Sequence, residues 1–206
     1  MEGLYLIVSA FIGAIATVTS VFVGNRMRAK KRDPLLTTHE HSENIYTALN
    51  FVMDEMSSDR AYVFQFHNGS YYLSGRGQQK FSCTHETVGK GISREAEISQ
   101  NYVVSNYHSY IDGLVNDGKF SFTNPDEVTD HAFSALMKAK GIKSVYNAPI
   151  KTLNGQIIGI IGVDYIKECV KDNTIGFCND AQVEAFGEET RTFMRRQARI
   201  ISGYLI

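Results

Sequence analysis

The chain has 206 residues, 21 Lys and Arg against 22 Asp and Glu, a formal net charge of -1, and 43% hydrophobic residues. That length holds one ordinary globular domain with a real core once a terminal apolar segment is set aside, and the balanced overall charge argues against a general nucleic-acid binder, which would be basic on at least one face. Cys83, Cys169 and Cys178 are widely spaced and form no CxxC or zinc pattern, which excludes a disulfide scaffold and points to reduced thiols in a cytosolic setting.

Gly3 to Gly24 carries no charge and is rich in Leu, Ile, Val and Phe. About 20 such residues span the hydrocarbon core as a helix. Arg26, Arg28, Lys30, Lys31 and Arg32 follow at once. A cleaved signal peptide places its positive charge before the apolar stretch, not after it, and basic residues stay on the cytoplasmic side. The expected organisation is a transmembrane anchor over residues 1–25, a basic juxtamembrane linker over 26–37, and a cytoplasmic domain over 38–206. The expected protein is single-pass in the inner (plasma) membrane, in contact with lipid through residues 3–24.

Asp33-Pro34 breaks the anchor helix. From Thr38 to Ser57, Ile45, Leu49, Val52 and Met56 recur at spacings of three and four, the stripe of an amphipathic helix. Arg60 to Gly69 then alternates as a buried strand that stops at Asn68-Gly69, with Tyr62, Phe64 and Phe66 on one face. Ser70 to Gly77 reads as a glycine-punctuated loop and Gln79 to Val88 as a second strand. Ser93 is placed to cap a short helix over Glu95–Ile98. Tyr102-Val103-Val104 is a short extended link, and Asn106 opens a helix that ends before Gly118. Phe120–Phe122 is a short strand. Asn124-Pro125-Asp126-Glu127 has the cap, proline and acids of a helix start, continuing to Gly141. Val145–Thr152 and Gln156–Ile166 make a hairpin, with Asn154-Gly155 as the type I′ pair. Its second strand holds a nearly continuous apolar run in which Gly159 and Gly162 leave room for close approach. A last helix starts at Asn179 and carries Val183, Phe186, Thr190, Phe193, Gln197, Ile201 and Tyr204 along one side.

The order of helix, two strands, helical insert, strand, helix, hairpin and helix resembles a GAF domain, the sensory α/β module related to PAS. The resemblance rests on Asp59–Phe66, on Gly89-Lys90-Gly91-Ile92, and on Ser144–Ile150 with Ile158–Tyr165 as the closing hairpin. It implies an α+β fold with a central antiparallel sheet, terminal helices on one face, and a pocket on the other. The leading apolar helix before a lone domain also resembles membrane proteins of phages and bacteria. The Asn-Lys-Phe-Asp-Glu motif of cyclic-nucleotide-binding GAF domains is missing, and Cys83-Thr84-His85 is not the Cys-His pair of bilin attachment.

The candidate ligand-binding residues are Tyr62, Phe64, Phe66, His67, Asn68, Phe81, Cys83, His85, Tyr107 and Asp164. The aromatics, with Tyr71, Tyr72 and Tyr102, either stack on a flat ligand or simply fill the core. His67-Asn68 either holds a polar ligand or only makes a turn. Phe81, Cys83 and His85 alternate onto one strand face, so Cys83 and His85 with His67 are the one conceivable metal set; a buried cysteine packing as a small hydrophobe is the commoner case. Asp164 either fixes a ligand or caps the following turn. No P-loop, nucleophile elbow, HExxH or dinucleotide fingerprint occurs. The expectation is a non-enzymatic sensory or binding module with no cofactor named and no nucleic acid. It takes a small ligand or an unidentified protein partner and forms a homo-oligomer through its helices. The alternative is a structural scaffold at the membrane.

Overall fold

The computed structural model describes residues 15–22, 33–166, 170–171, 174–175 and 187–206. The chain divides into two compact units, Met1–Glu40 and His41–Ile206. In the first, residues 15–22 are helical, with Ile15, Val18, Val21 and Phe22 exposed. The Thr19 and Ser20 hydroxyls donate back to the carbonyls of Ile15 and Ala16, both at 2.7 Å. Among the described residues no helix is long and apolar enough to cross a membrane. Most of the expected span at 3–24, and the basic run at 26–32, lie outside the described residues.

Helix α1, Pro34–Glu55, begins four residues before the expected Thr38. Asp33 starts the helix rather than a linker: its carboxylate accepts from the Leu35 amide at 2.9 Å, with proline at the first helical position. α1 buries Ile45, Ala48, Leu49 and Val52, the stripe read from the sequence.

The large unit is built on a six-stranded sheet of order β3-β2-β1-β6-β5-β4. Its strands are β1 Arg60–Tyr71, β2 Gly77–Val88, β3 Tyr102–Val103, β4 Phe120–Phe122, β5 Ser144–Lys151 and β6 Ile157–Tyr165, all paired antiparallel. A small pair, β7 Val170–Lys171 and β8 Thr174–Ile175, follows. Helix α4, Glu188–Leu205, packs with α1 on one sheet face. The expected helix start at Asn179 lies outside the described residues. Ala61, Val63, Tyr146, Ala148, Ile161 and Val163 meet Leu49, Val52, Met194 and Ile201 there. The opposite face carries a second core of Phe81, Tyr110, Leu114, Phe122, Phe133 and Ile160, covered by the middle of the chain. Ile160 and Ile161 are both fully buried, one on each face, so β6 is the covered central strand that its unbroken apolar run implies.

Several local expectations give way. β1 runs through His67-Asn68-Gly69 to Tyr71, because β2 keeps pairing with it past an irregularity after Asn68. The chain turns instead at Leu73-Ser74-Gly75, where the Tyr72 amide donates to Arg76 O at 2.9 Å and Gly75 has φ +78°. The β5–β6 turn repeats that geometry. The Thr152 amide donates to Gln156 O at 2.9 Å, and Gly155 has φ +85°. Both are three-residue loops closed by a left-handed glycine, so Asn154-Gly155 is not a type I′ pair. Residues 95–98 form a turn, not a Ser93-capped helix, because the Glu86 carboxylate takes the Glu95 and Ala96 amides. The helix expected from Asn106 is α2, His108–Asp112, followed by a wider turn over Gly113–Asp117 and left-handed Gly118. Asn124-Pro125 opens only a single 3-10 turn; α3, His131–Ala139, starts at Asp130, whose side chain accepts from Phe133 N.

Candidate functional site

The sheet face away from α1 and α4 holds a cavity. Its wall is aromatic: Tyr62 and Phe64 from β1, Phe81 from β2, Tyr102 from β3, and Tyr107, Tyr110 and Phe133 from the covering segment. Ring follows ring, with Phe81 at 5.4 Å from Tyr102 and 5.5 Å from Tyr107, and Tyr110 stacked on Phe133 at 5.0 Å. The free space is about 50 Å³. A water needs about 10–15 Å³ on that scale, so the cavity takes a handful of non-hydrogen atoms as it stands.

The floor is ionic. Arg60 is fully buried because it opens β1 on the same face as Tyr62. Its guanidinium donates to Asp164 Oδ2 at 2.9 Å and to Ser93 O at 3.1 Å. Arg60 Nε lies 3.3 Å from Glu86 Oε1, close enough for attraction but without hydrogen-bond geometry. Asp164 is opposed by two forces: burial disfavours its charge, and Arg60 favours it. Burial wins, and the carboxyl is pushed up to about 6. Burial and the neighbouring Asp164 hold the Tyr62 phenol well above its ordinary value.

Tyr62 Oη lies 2.9 Å from both Asn147 Oδ1 and Asp164 Oδ1. A phenol has one proton to donate. Both contacts are satisfied if the Asn147 amide turns its nitrogen to the phenol, or if Asp164 carries a proton and donates it. Gly162 makes this cluster possible: a methyl there would overlap the Tyr62 ring and the Asn147 side chain. At the rim, Lys140 Nζ lies 2.6 Å from Ser99 Oγ, 3.6 Å from Glu95 Oε2 and 5.7 Å from the Tyr102 ring centre.

Of the residues singled out from the sequence, Tyr62, Phe64, Phe81, Cys83, Tyr107 and Asp164 line this cavity. Phe66 packs beside it against Phe81 at 5.9 Å. His67 does not reach it: alternation puts its ring on the other face, with Nε2 at 2.9 Å from Ser82 Oγ. Asn68 is exposed and accepts from Gln79. Tyr71 and Tyr72 are exposed on the first hairpin.

His85 is displaced for a different reason. Val63 pairs with His85 and Phe64 with Cys83, so Thr84 is one residue too many. That bulge breaks the alternation. It sends His85 toward α1, with Nε2 at 3.2 Å from Ser42 Oγ and its ring on Tyr46, and turns Glu86 into the cavity. The conceivable metal set is therefore split between faces, and no cluster of three metal-binding side chains occurs among the described residues. Burial raises the Cys83 thiol to about 12, so it is not poised as a nucleophile at neutral pH, and burial lowers the His85 imidazole. Arg60, Glu86, Tyr110, Phe133, Lys140 and Asn147 were missed. Arg60 and Asn147 followed from strand parity. Glu86 did not, since the bulge inverts its parity.

No protein-family model matches the sequence, and no curated protein is similar enough to count as a relative. Solved structures do match. The GAF domain region of a Geobacter sulfurreducens protein, whose name assigns it provisionally to a membrane, is 17% identical, with a TM-score of 0.56 over 83% of this chain and 96% of that one. A GAF domain of Synechocystis sp., solved in its photoproduct state, is 11% identical with a TM-score of 0.55 over 80% of this chain and 92% of that one. The blue-light absorbing form of the Thermosynechococcus elongatus PixJ GAF domain is 12% identical with a TM-score of 0.56 over 84% and 89%. The chain therefore has a GAF-like fold, a central antiparallel sheet with its terminal helices on one face.

Proposed function

We propose that this protein is a membrane-anchored, GAF-like binding module that senses a small molecule and has no catalytic role. The observation that carries the reading is the aromatic cavity seated on buried Arg60, Glu86 and Asp164. Buried charge is costly unless it is paired, and a floor that only stabilised the fold would do as well with apolar side chains. A floor that meets a ligand needs fixed donors and acceptors inside an apolar wall. The cavity volume selects a ligand of a few non-hydrogen atoms, with an apolar body toward Phe81 and polar ends toward Arg60 and Asp164. A tetrapyrrole or a cyclic nucleotide has far more atoms than the few this space admits.

The anchor reading rests on the uncharged stretch at 3–24 and the basic run after it. The self-bonded Thr19 and Ser20 hydroxyls suit it, since lipid offers them no partner. Assembly through the helices rests on Phe51 and Ile200, exposed on α1 and α4, with the Phe51 ring tilted against Phe193 at 5.8 Å. A thermal-shift screen of small polar compounds tests the reading. The expected result is a compound that raises the melting temperature of the native chain but not of Leu136→Trp, which fills the cavity. Equal shifts in both would refute binding at this site.

One observation favours a second reading, that of a non-sensing scaffold. The space is small because the wall's own rings and Lys140 fill most of it. A screen in which nothing stabilises the native chain supports that reading.

A further inference from the structure

One end of the large unit differs in chemistry from the rest. β1 and β6 are antiparallel, so the β1–β2 and β5–β6 hairpins turn at the same end of the sheet. Each presents a leucine at the first position of its loop, and both Leu73 and Leu153 are wholly exposed. α4 finishes here, since Ser202 Oγ donates to Lys151 O at 2.9 Å. The chain also enters here, since the His41 ring lies 5.9 Å from Tyr204. Three of the segments at this end, 65–80, 149–157 and 195–206, contain no Asp or Glu and carry Arg76, Lys80, Lys151, Arg195, Arg196 and Arg199, while the entering helix brings Glu40 and Glu43 beside His41.

Beside Leu153 lies a cleft of about 450 Å³, lined by Lys151, Arg195 and Arg199 together with Pro149 and Gly118. All three cations are exposed, and none has a carboxylate partner among the described residues. The acid nearest in sequence to the cleft is Asp117, whose carbonyl is taken by Arg191 at 2.9 Å.

We infer that this end of the domain rests on an anionic lipid surface, with Lys151, Arg195 and Arg199 holding headgroup phosphates and Leu153 entering the layer beneath them. The inference builds on the membrane reading above. Three cations around one cleft, without carboxylate partners among the described residues, match phosphate, and an exposed leucine at its lip gains by leaving water. A soluble anion would use the cations but leave Leu153 unexplained.

The chain contains no tryptophan, so one introduced residue reports its own surroundings. Full-length Leu153→Trp is mixed with phosphatidylcholine vesicles, with or without phosphatidylglycerol, carrying acyl-chain bromines that quench nearby indoles. Glu55→Trp, exposed where α1 leads toward the start of β1, is the reference. The expected result is quenching of Leu153→Trp several-fold above the reference in anionic vesicles. It falls to the reference level when Lys151, Arg195 and Arg199 are all changed to Glu. Leu153→Trp quenched no more than Glu55→Trp overturns the inference, as does quenching that survives charge reversal. Flotation on neutral vesicles at high salt reads the anchor separately: a chain that fails to float there but still shows charge-dependent quenching loses its anchor and keeps this surface.

Discussion

Replacing Asp164 by Asn separates the two forces on the cavity floor. Burial raises the carboxyl from its ordinary value to about 6, against the pull of Arg60. The folded state therefore holds a proton that the unfolded chain releases at lower pH. The resulting stability is fully present below the unfolded value and is lost as pH rises through about 6. A difference of roughly two pKa units is worth about 3 kcal/mol, at about 1.4 kcal/mol per unit. Asn cannot titrate, so the stability gap between the native chain and Asp164→Asn should move by about 3 kcal/mol against the native chain between about pH 3 and pH 7. Urea unfolding followed by tyrosine fluorescence measures both curves. A constant gap refutes the reasoning. A gap moving the other way would mean that Arg60 outweighs burial and holds the carboxyl ionised.

Two further expectations follow from the same region. Gly162→Ala places a methyl against Tyr62 and Asn147. Overpacking of this kind costs about 1–3 kcal/mol, and the variant should unfold at correspondingly lower urea; an unchanged midpoint would show that the two side chains move aside freely. The Cys83 thiol, raised to about 12, should resist iodoacetamide in the folded chain at pH 8 and react on unfolding. An ordinary thiol of pKa about 8.5 is roughly one-quarter ionised at that pH, so mass-mapped labelling of native Cys83 at ordinary rates would contradict its burial.

The sheet, its two outer helices and the aromatic face were legible because each rests on a long periodic pattern. The Ile45-Leu49-Val52 stripe, the Tyr62-Phe64 alternation and the apolar β6 run all bury as their periods require. What the sequence hid depends on single insertions and on tertiary partners. The extra residue Thr84 exchanged His85 for Glu86 in the cavity, and nothing local marks a bulge there. Asn154-Gly155 and His67-Asn68-Gly69 have the composition of turns. Strand pairing set by the neighbouring strand shifted one turn by a residue and erased the other. Ser93 lost its expected helix to a carboxylate from β2 that no local rule anticipates. Strand parity put Arg60 on the cavity face, but its pairing with Asp164 and Glu86, more than 20 residues away, could not be read locally.

The central claim is that a small molecule occupies the cavity above Arg60 and Asp164. Native mass spectrometry of the full chain, purified gently from cells and released from detergent in the spectrometer, tests it most directly. The account predicts a mass excess of one small molecule per chain, freed for identification on denaturation and missing from Leu136→Trp. A chain that carries no excess mass, in native and variant protein alike, would contradict the sensor reading and leave the scaffold in its place.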